Sequence, residues 1–162
     1  MTEIFDDEAR GEDTLQGRYL TFTLGDDIYG IAIKFVVEII GIQSITIVPE
    51  VPQYIKGIIN LRGKIIPVID VRLKFGKEPE EYNDRTCIIV IEIGEVSVGL
   101  IVDKVDEVLT IEDQDIAAPP ANRTGFENRY IMGIGKIGND VQLLLDCEKL
   151  VKGEMSGLEM LE

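Results

Sequence analysis

No histidine and no tryptophan occur in the 162 residues, and cysteine is limited to Cys87 and Cys147. The missing imidazole removes the usual general base near neutral pH, the commonest nitrogen ligand for metals and any histidine that accepts a phosphoryl group. Two cysteines sixty positions apart build neither a CxxC redox pair nor a cysteine-rich zinc site. Both read as small buried apolar residues in a reducing compartment. Cations are scarce too: Lys and Arg number 16 against 30 Asp and Glu, a net charge of −14. That balance argues against binding a phosphate backbone or an anionic membrane surface. No apolar run approaches the roughly 18 residues that span a bilayer, and the acidic start lacks the basic-then-apolar order of a secretory signal. The expected compartment is the cytoplasm.

What is present suffices for one packed unit, since 45% of the residues are hydrophobic. Residues 1–17 carry six acids, one arginine and no apolar period, which predicts a mobile acidic tail. From Tyr19 the chain alternates, with Leu20, Phe22 and Leu24 on one face, then turns at Gly25-Asp26-Asp27 into a β-branched run over Ile28 to Ile33. The same pattern returns 69 residues later as Ile88 to Ile93, a turn at Gly94-Glu95, and Val96 to Val102. Gly25 matches Gly94, Gly30 matches Gly99, Val36 matches Val105 and Glu38 matches Glu107; further on the offset grows to 76, so that Ile55, Gly57 and Ile58 match Ile131, Gly133 and Ile134. Asp70 and Asp146 are predicted N-caps of short helices, closed by Gly76 and Gly153.

Two copies of a strand-rich unit of about seventy residues suggest two small β-barrels rather than one sheet. The expected divisions are the tail over 1–17, a first barrel over 18–83, a second over 84–146, and a C-terminal helix and tail over 147–162. The repeat spacing is equally compatible with barrels that exchange strands and barrels that do not. The join lies near Lys77 to Arg85, and a second loop runs from Glu112 to Arg129 with Pro119-Pro120 inside it.

Three acidic clusters, Asp26-Asp27, Glu78 with Glu80-Glu81, and Glu112-Asp113 with Asp115, fall in predicted turns. They lack the ligand alternation and turn glycine of a calcium loop, so solvated charge is the expectation and no metal or other cofactor is implied. Neither a GxxxxGK[ST] phosphate loop nor a GxSxG nucleophile elbow occurs. The alternative function is a carboxylate-based enzyme on a β-barrel, which requires two acids converging in an enclosed pocket.

Two segments stand out. In Ile55 to Asp70, two β-rich runs flank Asn60-Leu61-Arg62-Gly63, placing Arg62 at a hairpin turn with Gly63 free to take positive φ. A solvated turn arginine and one offered to a partner fit the pattern equally. Pro67 donates nothing to a ladder and belongs at an edge or a bulge. In Lys34 to Ile40, Glu38 lies inside an apolar run and needs solvent, a partner or a cation. Arg62 is the cation nominated.

The ordered series Phe22-Thr23-Leu24-Gly25-Asp26, Tyr29-Gly30, Val36 to Glu38, Ile55 to Asp70, Val102-Asp103 with Val105 and Val108, and Tyr130 with Gly133 and Gly135 resembles the CheW family of bacterial chemotaxis adaptors from Arg18 to about Lys152. The resemblance implies two SH3-like five-stranded barrels and a non-catalytic adaptor in two-component signal transduction. Its implied partners are the cytoplasmic tip of transmembrane chemoreceptors and the regulatory domain of the histidine kinase CheA, with recruitment to membrane-associated receptor arrays. By matching position, Val36, Glu38, Arg62 and Val108 are implied in receptor binding, and Lys56, Gly57 and Ile65 in kinase binding. The loop from Pro119 to Arg129, with Phe126, departs from the family pattern.

Overall fold

The computed structural model describes residues 16–119 and 129–158, with side chains as far as Lys152 in the last helix. The tail before residue 16 and Phe126 with its surrounding loop lie outside the described residues. Strands alternate with two-residue turns from the start: β1 (Arg18–Leu24) and β2 (Asp27–Ala32) form the first hairpin, and β3 (Val36–Gly41) follows a single 3-10 turn. Next come β4 (Ile55–Leu61), β5 (Lys64–Asp70) and the helical turn α1 (Val71–Lys74). The second copy supplies β6 (Cys87–Ile93), β7 (Val96–Val102), β8 (Lys104–Thr110), the short β9 (Ile116–Ala117), β10 (Ile131–Ile137), β11 (Asp140–Leu145) and α2 (Cys147–Leu158).

The sheets do not follow the order of the repeats. One has the order β3-β6-β7-β5-β4 and the other β8-β1-β2-β11-β10-β9. The opening hairpin of each copy is therefore completed by the third strand and the closing hairpin of the other copy, so the boundary between residues 83 and 84 divides the repeats but not the barrels. We call these sheets the first and second barrel. Both close alike. Beyond β3, Thr46 exchanges backbone hydrogen bonds of 2.9 Å with Ile58 of β4, and β9 pairs with Ile134 at the matching place in β10. Closure removes sheet edges that would otherwise recruit another chain.

Side-chain size follows from this topology. The first barrel is filled by Ile59, Ile66, Val68, Ile88, Val90 and Ile101, each at most 2% exposed; burying one such side chain stabilises the fold by roughly 1.5–3 kcal/mol. Shifted by the repeat offsets, the same positions in the second barrel hold Gly135, Gln142, Leu144, Tyr19, Thr21 and Ala32. The second interior is thus partly polar. Thr21 Oγ1 donates to the Glu107 carbonyl at 2.9 Å, whereas the buried Oε1 of Gln142 has no hydrogen-bond partner among the described residues. A larger apolar core, including Leu20, Phe22, Tyr29 and Ile31 from one sheet and Ile89, Ile91, Val98 and Leu100 from the other, joins the barrels.

Local signals act as their chemistry dictates. Asp70 caps α1 by accepting from Leu73 N, Gly76 takes φ 76° beyond it, and Asp146 Oδ1 accepts from Lys149 N at 3.0 Å. Pro67 lies in an interior strand, but β7 pairs with β5 only from Val68 to Asp70. Across β4, Ile58 turns its backbone groups to Thr46, so no donor is asked of the proline. Two further expectations need correction. Gly153 does not end α2, which continues to Leu158, because a helical glycine costs only about 1 kcal/mol against alanine and breaks nothing by itself. Cys87 is half-buried, its Sγ donating to the Arg85 carbonyl at 3.3 Å; it starts a strand, where the side chain still meets solvent. Cys147 is buried, and burial together with the neighbouring Asp146 and Glu148 pushes its thiol up to about 12.

Candidate functional site

The β4–β5 hairpin builds the most exposed cation of the site. Leu61 pairs with Lys64 across a two-residue turn in which Arg62 has φ 52° and Gly63 φ 87°. Two successive left-handed residues are what a type I′ hairpin requires. Glycine adopts that conformation freely, whereas an arginine pays of order 1 kcal/mol. The turn is steadied by Asn60, whose Oδ1 accepts from Gly63 N at 2.8 Å. The guanidinium reaches β3, where Arg62 Nη2 donates to Glu38 Oε1. The Arg62 side chain remains 70% exposed in this pair.

Glu38 reaches its position through a bulge. Val36 opposes Ile91 and Glu38 opposes Val90, so Val37 is the extra residue and stands exposed. The bulge frees Val36 and Glu38 from strict alternation. Val36 enters the shared core while Glu38 stays half-buried beside the arginine. Val108 occupies β8 of the second barrel, opposite Leu20, and also packs on the shared core. The structure therefore brings Glu38 and Arg62 into contact, and sets Val36 and Val108 on the corresponding third strands of the two repeats.

The other named residues share the β4–β5 ribbon. Lys56 is the extra residue of a second bulge, between Ile55 and Gly57, with its ammonium 5.9 Å from the centre of the Tyr82 ring. Ile65, opposite Asn60, is 56% exposed. Gly57 differs from both. Its φ is 147°, and a Cβ there would stand 2.0 Å from the Thr46 carbonyl oxygen that closes the barrel. Its place in the chain is explained by that close approach, whatever else touches the surface.

Sequence reasoning missed a polar cluster across the junction. Arg72 of α1 donates through Nε and Nη2 to the two carboxylate oxygens of Asp103, both at 2.7 Å, and through Nη1 to the Glu78 carbonyl at 3.0 Å. Asp103 also accepts from Gly25 N at 2.8 Å, in the turn between β1 and β2. Burial acts to raise the Asp103 pKa, but the Arg72 hydrogen bond, the Gly25 N–H and the charges of Arg72 and Lys77 outweigh it and hold the carboxyl below its usual range. The spacing of Arg72 and Asp103 carries no local signal. The glycine shared by both repeats at 25 and 94 was the available hint.

A cleft of about 250 Å³ opens beside this cluster, lined by Asp70, Glu80, Glu81, Tyr82, Arg85 and Lys104 among others. Its inner acids are committed. Asp103 is held by Arg72, and Asp70 accepts both from Leu73 N and from the Tyr82 hydroxyl, the latter at 2.7 Å. Burial first, and then the Asp70 hydrogen bond and charge, raise the Tyr82 pKa. These contacts pin the join between the repeats to the first barrel and give the two inner carboxylates structural work. Among the described residues no group of three or more potential metal ligands comes together, and no helix is long and apolar enough to cross a membrane.

Comparison with known proteins agrees with this architecture. A family model described as a CheW-like domain matches residues 18–155. The Chemotaxis protein CheW of Klebsiella aerogenes is 38% identical over 146 residues, covering 90% of this chain and 88% of that protein. The Chemotaxis protein CheW of Treponema pallidum is 33% identical over 141 residues, covering 83% and 82%. The crystal structure of the scaffolding protein TtCheW from Thermoanaerobacter tengcongensis aligns with a TM-score of 0.75 at 38% identity, over 80% of this chain and 88% of that one. The chain belongs to the CheW-like family, and its two closed sheets are the SH3-like barrels of that fold.

Proposed function

We propose that this chain is a non-catalytic adaptor of bacterial chemotaxis that couples the cytoplasmic tip of chemoreceptors to the regulatory domain of the histidine kinase CheA. The observation that carries the reading is the Arg62 turn, where an exposed guanidinium is held in a costly backbone conformation and aimed by Glu38. Strain retained at a surface turn points to a partner rather than to the core. In this reading the receptor helix lies on the side of Glu38, Arg62 and the third strands carrying Val36 and Val108. Lys56 and Ile65 face the kinase from the β4–β5 ribbon, with Gly57 shaping the strand beneath them. Separate surfaces let both partners bind at once, and modest single affinities suffice when an array raises the effective concentration. Recruitment to the membrane is then indirect, through the receptors.

A charge swap tests the pairing. Either single reversal, Glu38→Arg or Arg62→Glu, is expected to weaken receptor-tip binding by about tenfold, and the double reversal to regain the part of that loss due to the broken pair. Arg62→Gly separates strain from function: it keeps the left-handed turn and removes the guanidinium, so the melting temperature holds or rises while binding falls. Titration calorimetry and thermal melts on the same samples read both quantities. A double reversal no better than the singles, or Arg62→Gly that binds normally, contradicts the assignment.

A further inference from the structure

Lys74 lies at the seam between the barrels with only 8% of its surface exposed. Its Nζ is 4.1 Å from the ring centre of Tyr54 and 5.4 Å from that of Tyr130. These tyrosines are counterparts at the 76-residue offset, each leading into the first strand of its repeat's closing hairpin, β4 and β10. Their carbonyls do the same work, accepting at 2.7 Å from Asp70 N and Asp146 N respectively. The counterpart of Lys74 itself is Leu150, which is fully buried. One side of a near-symmetric seam is thus closed by leucine and the other by a cation held between rings from both barrels.

We propose that Lys74 is a positioning residue that sets the relative orientation of the two barrels, its ammonium forming a directional clasp between Tyr54 and Tyr130. Apolar packing across the seam is strong but tolerant of small rotations, because burial is not directional. A cation over two aromatic faces is favourable only where the rings converge on it. Phe75, the next residue, stacks on Tyr130 at 5.9 Å and meets Tyr29 in a tilted arrangement at 5.6 Å, which extends the clasp into the shared core.

The charged groups around the clasp set its pH dependence. Arg129 stands near enough to disfavour the ammonium, β7 supplies no ionisable side chain, and the nearby Asp70 is engaged by Tyr82 and Leu73. Arg72, on the same helical turn, is committed to Asp103. Burial, and then Arg129, lower the Lys74 pKa to about 8, so it remains about nine-tenths charged at pH 7. Since the folded value lies below the unfolded one, the unfolded chain binds more protons between the two. Stability should therefore rise with pH above about 8 while the clasp is released.

Residual dipolar couplings of isotope-labelled isoleucine methyls in each barrel read the orientation directly. The expected result is one common alignment for both barrels in the wild type and in Lys74→Arg, and a changed relative orientation or scaled couplings in Lys74→Met. An unchanged common alignment in folded Lys74→Met overturns the proposal. Should that variant fail to fold, the wild type decides, measured between about pH 7 and about pH 9.5 while the Lys74 side-chain signal reports its own titration. An orientation that shifts as the ammonium is lost supports the clasp, and one that stays fixed after it has titrated overturns it.

Discussion

Gly57→Ala is expected to cost about 3 kcal/mol of folding stability or more, a fall in melting temperature of roughly 10 °C for a chain of this size. Two effects add. The φ of 147° disfavours any side chain, and the new Cβ meets the Thr46 carbonyl oxygen, a backbone atom that cannot move aside without opening the barrel. Gly63 is the control. It too has positive φ, but its missing Cβ faces open space, so Gly63→Ala should cost only about 1 kcal/mol. Thermal melts of both variants separate close approach from conformation. Equal losses would show that the Thr46 contact relaxes freely.

Arg72→Met is expected to cost about 3 kcal/mol at neutral pH, because it strands Asp103 and removes the tie among α1, the β7–β8 junction and the β1–β2 turn. Its pH dependence has a definite sign. The folded Asp103 pKa is depressed, so its contribution is present above the unfolded value near 4 and disappears as pH falls through the folded one. Urea unfolding of wild type and variant should differ most at about pH 7 and converge toward about pH 2, the Arg72 charge remaining throughout. A gap that does not narrow in acid would remove Asp103 as the group responsible.

The features legible in the sequence were those with local periodicity or a local rule. The alternation of Leu20, Phe22 and Leu24 gave β1, the glycines at turns gave the hairpins, and Asp70 and Asp146 announced their caps. Glu38 with Arg62 could be nominated because an acid inside an apolar run must find a cation, and the turn put one within reach. The repeat offsets implied two barrels. They left open which hairpin joins which third strand, since pairing across repeats satisfies the same alternation as pairing within one.

The remaining surprises have the same origin. Arg72 and Asp103 lie in different repeats, and the Lys74 clasp needs two tyrosines that meet only after both barrels have closed. The left-handed Arg62 was hidden because the favoured residues at its turn position are asparagine, aspartate and glycine. Gln142 reads as a strand residue with no sign that it points into a barrel. Its misfit emerges only beside Ile66, the counterpart that fills the first interior.

Simultaneous occupancy is the most direct measure of the proposed adaptor. A receptor-tip fragment and the CheA regulatory domain, mixed with the purified chain, should form a ternary complex seen by sedimentation velocity. Arg62→Gly should lose the receptor alone and Ile65→Asp the kinase alone. Competition between the two partners for the chain, or loss of both from either substitution, would contradict an adaptor with two separate surfaces.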